Sequence, residues 1–322
     1  MSIMNNWSMS GLQTSMVSWA LILQAGLAVS ALQLDDASQP AAPKAPNCEI
    51  GSPVVVPVAL DGKDHPAEKA IETAEDLLAA LEQSDKELVD LQAGIRYDVL
   101  KGIAGDQQIR TGQVALKNTQ PRSFAVRFVE LQVGARIDQV AQTYVFDGRW
   151  LVEKDDANKL FIKREIVREG EQTDPLKIGQ GPFPLPIGQA ASEILALYDA
   201  KLVEATTDLV ANTPADQAAI ENFVNESKQL VLTPKAGDTG DLTKIQLWYR
   251  KVNDRWLPRM ARTTNKQDDI ALIQLINIQV NQGLAGDALS ISAPTESGWS
   301  VREEKLSVAP AENANTAPAQ AK

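Results

Sequence analysis

Residues 142–188 read as strand, tight turn, strand, turn, strand, and no other stretch restricts the fold of this chain as much. Tyr144, Val145 and Phe146 run into an Asp147-Gly148 turn. Trp150, Leu151 and Val152 follow, then a charged turn, then an apolar-rich run over 160–166. Asp-Gly between two apolar runs is among the strongest short-range signals for an antiparallel hairpin. The same pattern recurs along most of the chain without a catalytic motif on it. A large curved antiparallel sheet without chemistry suggests a protein that holds something.

The strand pattern predicts strands over 88–100, 108–117, 123–131, 137–146, 150–153 and 160–167. A second set is predicted over 229–233, 244–251, 256–263, 269–279 and 288–291. Each run is rich in Val, Ile, Leu, Phe or Tyr and is bounded by Gly, Asp, Asn or Pro. Within 123–131, alternation puts Phe124, Val126 and Phe128 on one face and Ala125, Arg127 and Val129 on the other. Simple hairpin connections are the economical topology. Lys251-Val252-Asn253-Asp254-Arg255-Trp256 echoes Asp147-Gly148-Arg149-Trp150, which reads as shared hairpin logic and not as a repeat. A sheet that curls without closing must have its concave face covered or filled.

Three helices are predicted. Over 66–81, Ala67, Ala70, Ile71, Ala74, Leu77, Leu78 and Leu81 recur at spacings of three and four, giving one apolar face. Pro66 suits its first turn, and Glu68 and Glu72 suit the N-terminal end of its dipole. That face serves equally for a helix packed on a core or a lid over a cavity. Residues 190–198 carry Ala191, Ile194, Leu195 and Tyr198 on one side. Over 214–224, Thr213 is the cap, Pro214 takes the first position, and Ile220, Phe223 and Val224 point inward. Between the two strand sets, Pro182, Pro184 and Pro186 alternate with Phe183, Leu185 and Ile187, so this loop is expected to lie extended on apolar surface.

The ends of the chain differ from its body. Residues 1–31 contain no charged side chain, and an apolar stretch ends in Val29-Ser30-Ala31. This predicts a cleaved secretory signal, with a retained anchor as the other reading. A linker rich in Pro and Ala is predicted over 32–65 and a disordered tail over 307–322, leaving 66–306 as the ordered body.

Composition removes several classes of function. With 31 basic and 42 acidic residues the net charge is −11, which argues against nucleic acid and against an anionic membrane surface. Cys48 and His65 are the single residues of their types, and both lie in the predicted linker. No internal disulfide or Cys/His zinc site can be built from them, and no activity is expected to depend on them. The acidic clusters at Glu153, Asp155 and Asp156, and at Asp268 and Asp269, fall at predicted turns and are expected to be solvated. Trp150 and Trp256 are expected in core or interface positions. Asn225-Glu226-Ser227 matches a glycosylation sequon, a weak three-residue pattern. No cofactor, metal or catalytic residue is expected, so the chain is not read as an enzyme.

Gln229-Leu230-Val231-Leu232-Thr233-Pro234-Lys235, with a short Gly/Asp turn and a strand over 242–249, resembles the late strand pair of the LolA family of periplasmic lipoprotein carriers. The order of the other segments is similar: signal peptide, amphipathic helix, strands over 91–98, 112–117 and 124–128, then Tyr144-Val145-Phe146-Asp147-Gly148-Arg149-Trp150. Residues 275–280, Leu289-Ser290-Ile291, Pro294 and Gly298-Trp299 fit that family's last strands, so the resemblance covers 77–301. It implies an incomplete antiparallel β-barrel, mainly β with helices, under a helical lid. It also implies a periplasmic monomer that binds lipoprotein acyl chains or other lipids in an apolar cavity. Such a carrier moves its cargo from an inner-membrane release complex to an outer-membrane acceptor. The lining residues implied are Phe124, Val126, Phe128, Tyr144 and Phe146 on the sheet and Leu77, Leu78 and Leu81 on the lid, with Arg122 or Arg127 as the lid contact. The family's Lys-Arg-Pro step is replaced here by Lys117-Asn118-Thr119-Gln120-Pro121-Arg122. The rival functions are an envelope-stress sensor on the same fold and an Asp/Glu enzyme on a β-scaffold.

Overall fold

Alternation and turn chemistry give two antiparallel meanders that share one sheet. After α1 (Ala74–Lys86), the first meander runs β1 (Asp90–Leu100), β2 (Gln107–Lys117), β3 (Ser123–Val133), β4 (Arg136–Phe146), β5 (Trp150–Asp155) and β6 (Leu160–Glu165). Next come α2 (Ala191–Leu197), β7 (Tyr198–Val203) and α3 (Pro214–Val224). The second meander continues with β8 (Ser227–Pro234), β9 (Leu242–Val252), β10 (Arg255–Asn265) and β11 (Ile270–Val280), and β12 (Ser300–Glu304) comes last. The computed structural model describes residues 70–170, 187, 190–211, 213–235 and 241–306. All of these but Ala70 fall in one of the chain's two compact units. The predicted signal, the linker with Cys48 and His65, most of the proline-rich loop and the predicted tail lie outside the described residues.

The sheet order is β12-β6-β5-β4-β3-β2-β1-β11-β10-β9-β8-β7. The meanders meet where β1 pairs antiparallel with β11, with Ile95 opposite Leu275 and Tyr97 opposite Ile273. β12 lies parallel on β6. β7 and β12 are the two ends of the order, so the sheet is open and unclosed. The fold is mainly β with three helices among the described residues.

Several long strands slip register near their middles: β1 between Gln92 and Gly94, β2 between Thr111 and Gly112, and β3 between Phe128 and Glu130. Such bulges bend a strand and increase its twist. At Gly112 a side chain would run into the Arg127 carbonyl, so the close approach of β2 and β3 requires glycine.

The two sheet faces carry separate cores. On one face a large cluster joins residues of α1 and α2 to both meanders. On the other face Trp248 and Met260 meet Leu209 and Val224, with Ile220 and Phe223 of α3 packed against them. Trp248 Nε1 donates to the Ala205 carbonyl at 2.6 Å.

Four expectations need correction. The first helix begins at Ala74, not Pro66. Thr73 Oγ1 accepts from the Asp76 amide and Asp76 accepts from the Thr73 amide, both at 3.1 Å, a capping box that fixes the start. Ile71 packs on the core from the non-helical segment before that cap. Tyr198, expected on the second helix, is the first residue of β7. Residues 288–291 form a turn and not a strand: Ala288 N donates to Ala285 O at 3.0 Å and Ser290 N to Asp287 O at 3.2 Å. The two Arg-Trp hairpins also differ in register. Trp150 faces Asp147 across its turn, whereas Arg255 faces Val252 and Trp256 is one step further along.

Candidate functional site

Alternation puts Phe124, Val126 and Phe128 on one face of β3, and antiparallel register decides what they meet. Phe124 stands directly opposite Phe146, and Val126 opposite Tyr144. Directly opposed residues share a face, so the two aromatic sets coincide. The Phe124 and Phe146 rings lie 5.7 Å apart, and Phe128 meets Tyr144 edge-on at 6.4 Å. Tyr97 of β1 stacks on Phe128 at 6.2 Å. Leu77, Leu78 and Leu81 belong to the same cluster, and all eight expected lining residues are buried.

The helix does not sit squarely over those aromatics. The main contacts of α1 are with β10, β7 and α2, on the second-meander half. Ser84 Oγ accepts from the Trp256 amide at 3.0 Å, and Arg255 pairs with Glu87 at 3.2 Å. The face there is equally apolar. Leu202, Leu230, Leu247, Ala261, Ile273 and Tyr97 follow one another across β7, β8, β9, β10, β11 and β1. These residues were absent from the expected lining. The alternation of Leu230 with Leu232, and of Ile245 with Leu247 and Tyr249, is the signal that marks them.

On the first-meander side the apolar rows end in charge. Ala93, Val114, Val126 and Tyr144 are successive partners from β1 to β4, and the next partner is Glu153. Leu91, Leu116, Phe124, Phe146 and Leu151 form the neighbouring row, and the next partner is Arg164, then Glu304. Glu153 and Asp155, expected at a solvated turn, are buried on β5. The strand runs three residues further than its apolar run, and Glu153 and Asp155 continue the phase of Leu151. Tyr144 Oη donates to Glu153 Oε1 at 3.3 Å, and Arg164 Nη1 lies 3.4 Å from Glu153 Oε2. Arg164 Nε makes its shorter bond, 2.7 Å, to Glu304. Asp155 accepts from the Asn158 amide at 3.0 Å and from Asn158 Nδ2 at 2.9 Å. Arg110, opposite Tyr97, is buried as well.

Burial raises the Glu153 carboxyl above the usual carboxylate range, against the opposing pull of Arg164 and the Tyr144 hydrogen bond. Burial pushes the Tyr97 hydroxyl up to about 12. Tyr144 is raised by burial first and then by the negative charge of Glu153.

The two arginines named as lid contacts reach different segments. Arg122 Nη1 donates to the Ile187 carbonyl at 2.9 Å, shortly before α2. Arg127 donates to the carbonyls of Asp287, Ala288 and Ser290 and so braces that turn. The first amide of α2, on Ala191, points at Glu82 of α1 at 3.4 Å, which links the two helices. Trp150 is half-buried under Lys163, whose Nζ lies 4.1 Å from the ring centroid.

No family model and no curated protein matches the sequence. Solved structures do. An uncharacterized conserved protein from Thermus thermophilus is similar with a TM-score of 0.39 and 11% identity, over 72% of this chain and 99% of the other. A chain of the MucA/MucB complex from Pseudomonas aeruginosa is similar at 0.36 and 18%, over 68% of this chain and 61% of that one. A LolA superfamily protein from Nitrosomonas europaea is similar at 0.31 and 13%, over 69% and 99%.

Proposed function

We propose that the apolar face of this sheet takes up acyl chains of lipids or lipoproteins, and that the protein is a periplasmic carrier for them. The observation that carries this is the set of apolar rows. They cross an open sheet from β7 to β4 with the helices' main contacts on one half only. A carrier needs such a face because each methylene removed from water contributes about 0.8 kcal/mol, so a dozen or more amount to roughly 10 kcal/mol. Handing that cargo on requires an acceptor that offers equal burial. The predicted signal over 1–31 accords with a periplasmic location. The site is proposed for binding without chemistry. Glu153 and Asp155 stand on one strand, two residues apart, and do not oppose each other across a cleft as an acid-base pair does.

The test is equilibrium binding of a fluorescent fatty acid to the purified protein, with mass spectrometry of lipids that co-purify. Saturable binding, lost in a folded Phe128→Glu variant, is expected, because an unpaired carboxylate is costly in an apolar site. Normal binding by folded Phe128→Glu would refute the assignment of the face. A Phe128→Glu chain that fails to fold, together with no uptake by the parent, would show that these aromatics are solid core.

A further inference from the structure

We infer that Glu153 receives the head group of the bound amphiphile, and that the head it selects carries an ammonium or another cationic N–H donor. This rests on the acyl-binding face proposed above and names the polar end of the same site.

The placement comes from strand register. The row Ala93, Val114, Val126 and Tyr144 leads directly to Glu153. Its neighbour, running through Phe124, Phe146 and Leu151, leads to Arg164. An acyl chain lying along either row brings its head to β5 and β6. A site for bare hydrocarbon gains nothing from a carboxylate there, since burying a charge costs free energy unless it is paired.

The surrounding charges indicate the sign of the head. Glu153 faces Tyr144 on β4, Asp155 on its own strand and Arg164 on β6. Arg164 is shared, and its 2.7 Å bond goes to Glu304 of β12 while Glu153 receives only the 3.4 Å contact. Beyond it on β12 stands Arg302, which is exposed. Arg110 stands on the side of Tyr97 and Tyr144, and its charge bears on both hydroxyls. Glu153 and Glu304 therefore share one guanidinium, and the buried Asp155 adds a further negative charge beside Glu153. A cation at Glu153 would form a short charge-assisted hydrogen bond and leave Arg164 on Glu304. An anionic head in the same place would meet Glu153 and Asp155.

The experiment uses the full chain and three probes of equal length below their aggregation limits: dodecylammonium, dodecanol and dodecanoate. Each displaces a neutral fluorescent acyl probe. The wild type is expected to bind dodecylammonium about tenfold tighter than dodecanol, as one charge-assisted hydrogen bond allows, with dodecanoate weakest. In Glu153→Gln the ratio of amine to alcohol affinity should fall to about one. Glu303→Gln makes the same charge change on the opposite sheet face, beside Lys163, and should keep the preference. Equal binding of amine and alcohol by the wild type overturns the inference, and so does a preference that survives in Glu153→Gln or vanishes in Glu303→Gln. Binding of none of the three probes, or of the neutral one, overturns the acyl-binding face itself.

Discussion

At Gly112 and Gly94 the same residue type serves different needs, though each lies at a register slip. A Cβ on Gly112 has no room beside the Arg127 carbonyl, which is backbone and cannot swing aside. Gly112→Ala should therefore cost about 2–3 kcal/mol, read as a lower urea midpoint with an unchanged slope. A Cβ on Gly94 would rest at an ordinary 3.5 Å from the Ile276 carbonyl oxygen. Gly94→Ala should stabilise by about 0.5 kcal/mol through the unfolded chain. Glu153 supplies a pH-dependent contrast. Its folded carboxyl titrates above the usual value, so the folded state holds the proton more tightly than the unfolded chain does. The stability this contributes is complete below the ordinary carboxylate value of about 4.3 and is lost as pH rises through the raised one. Glu153→Gln does not titrate, so its melting temperature should exceed the wild type's at neutral pH. The gap should close toward pH ~4. A variant that melts lower at neutral pH and equally low in acid would mean that the Arg164 and Tyr144 contacts outweigh the burial cost.

Among the elements, α1 depends on its first turn. Thr73 and Asp76 satisfy each other's amides, so Thr73→Ala should destabilise by about 1 kcal/mol, measured by thermal or urea unfolding. The Thr-x-x-Asp signature was present in the sequence. The apolar spacing continues N-terminally through Ala70 and Ala67, which carried the expected helix past its cap. β7 was illegible for a related reason: its inward set of Tyr198, Ala200 and Leu202 continues the apolar face of the preceding helix without a turn signal. β12 is exposed at all five positions and ends in charge, so it has no buried face to impose an alternation. Residues 288–291 show the opposite case. Leu289 and Ile291 alternate as in a strand, yet the segment turns and is braced from outside by Arg127. The longer strands were legible because each buries a periodic apolar set. The candidate face was legible only in part. Alternation assigned faces within β3 and β4, but register, fixed by residues far away in sequence, decided which faces meet and placed the charged row at their end.

In the whole molecule, two meanders that each form by local hairpins are joined by one pairing of distant strands. Leu91 of β1 lies opposite Val280 of β11. Closing a loop of that length costs entropy before it gains contacts, so the seam should form late and folding should be slow for the chain's size. Once formed, the seam is internal to the large core, which draws side chains from both meanders across it. The halves should then unfold as one unit. Ile95 tests this, since it is a first-meander residue buried at the seam opposite Leu275. Ile95→Ala should cost about 2–5 kcal/mol, as removing a buried branched side chain does. If the molecule is one cooperative unit, the slowest-exchanging amides of β3 and of β9 lose that same free energy in native-state hydrogen exchange. If each meander is its own unit, β3 loses protection while β9 keeps it. Retained protection of β9 would separate the sheet into two folding units and would make the β1–β11 seam a natural line of opening for the apolar face.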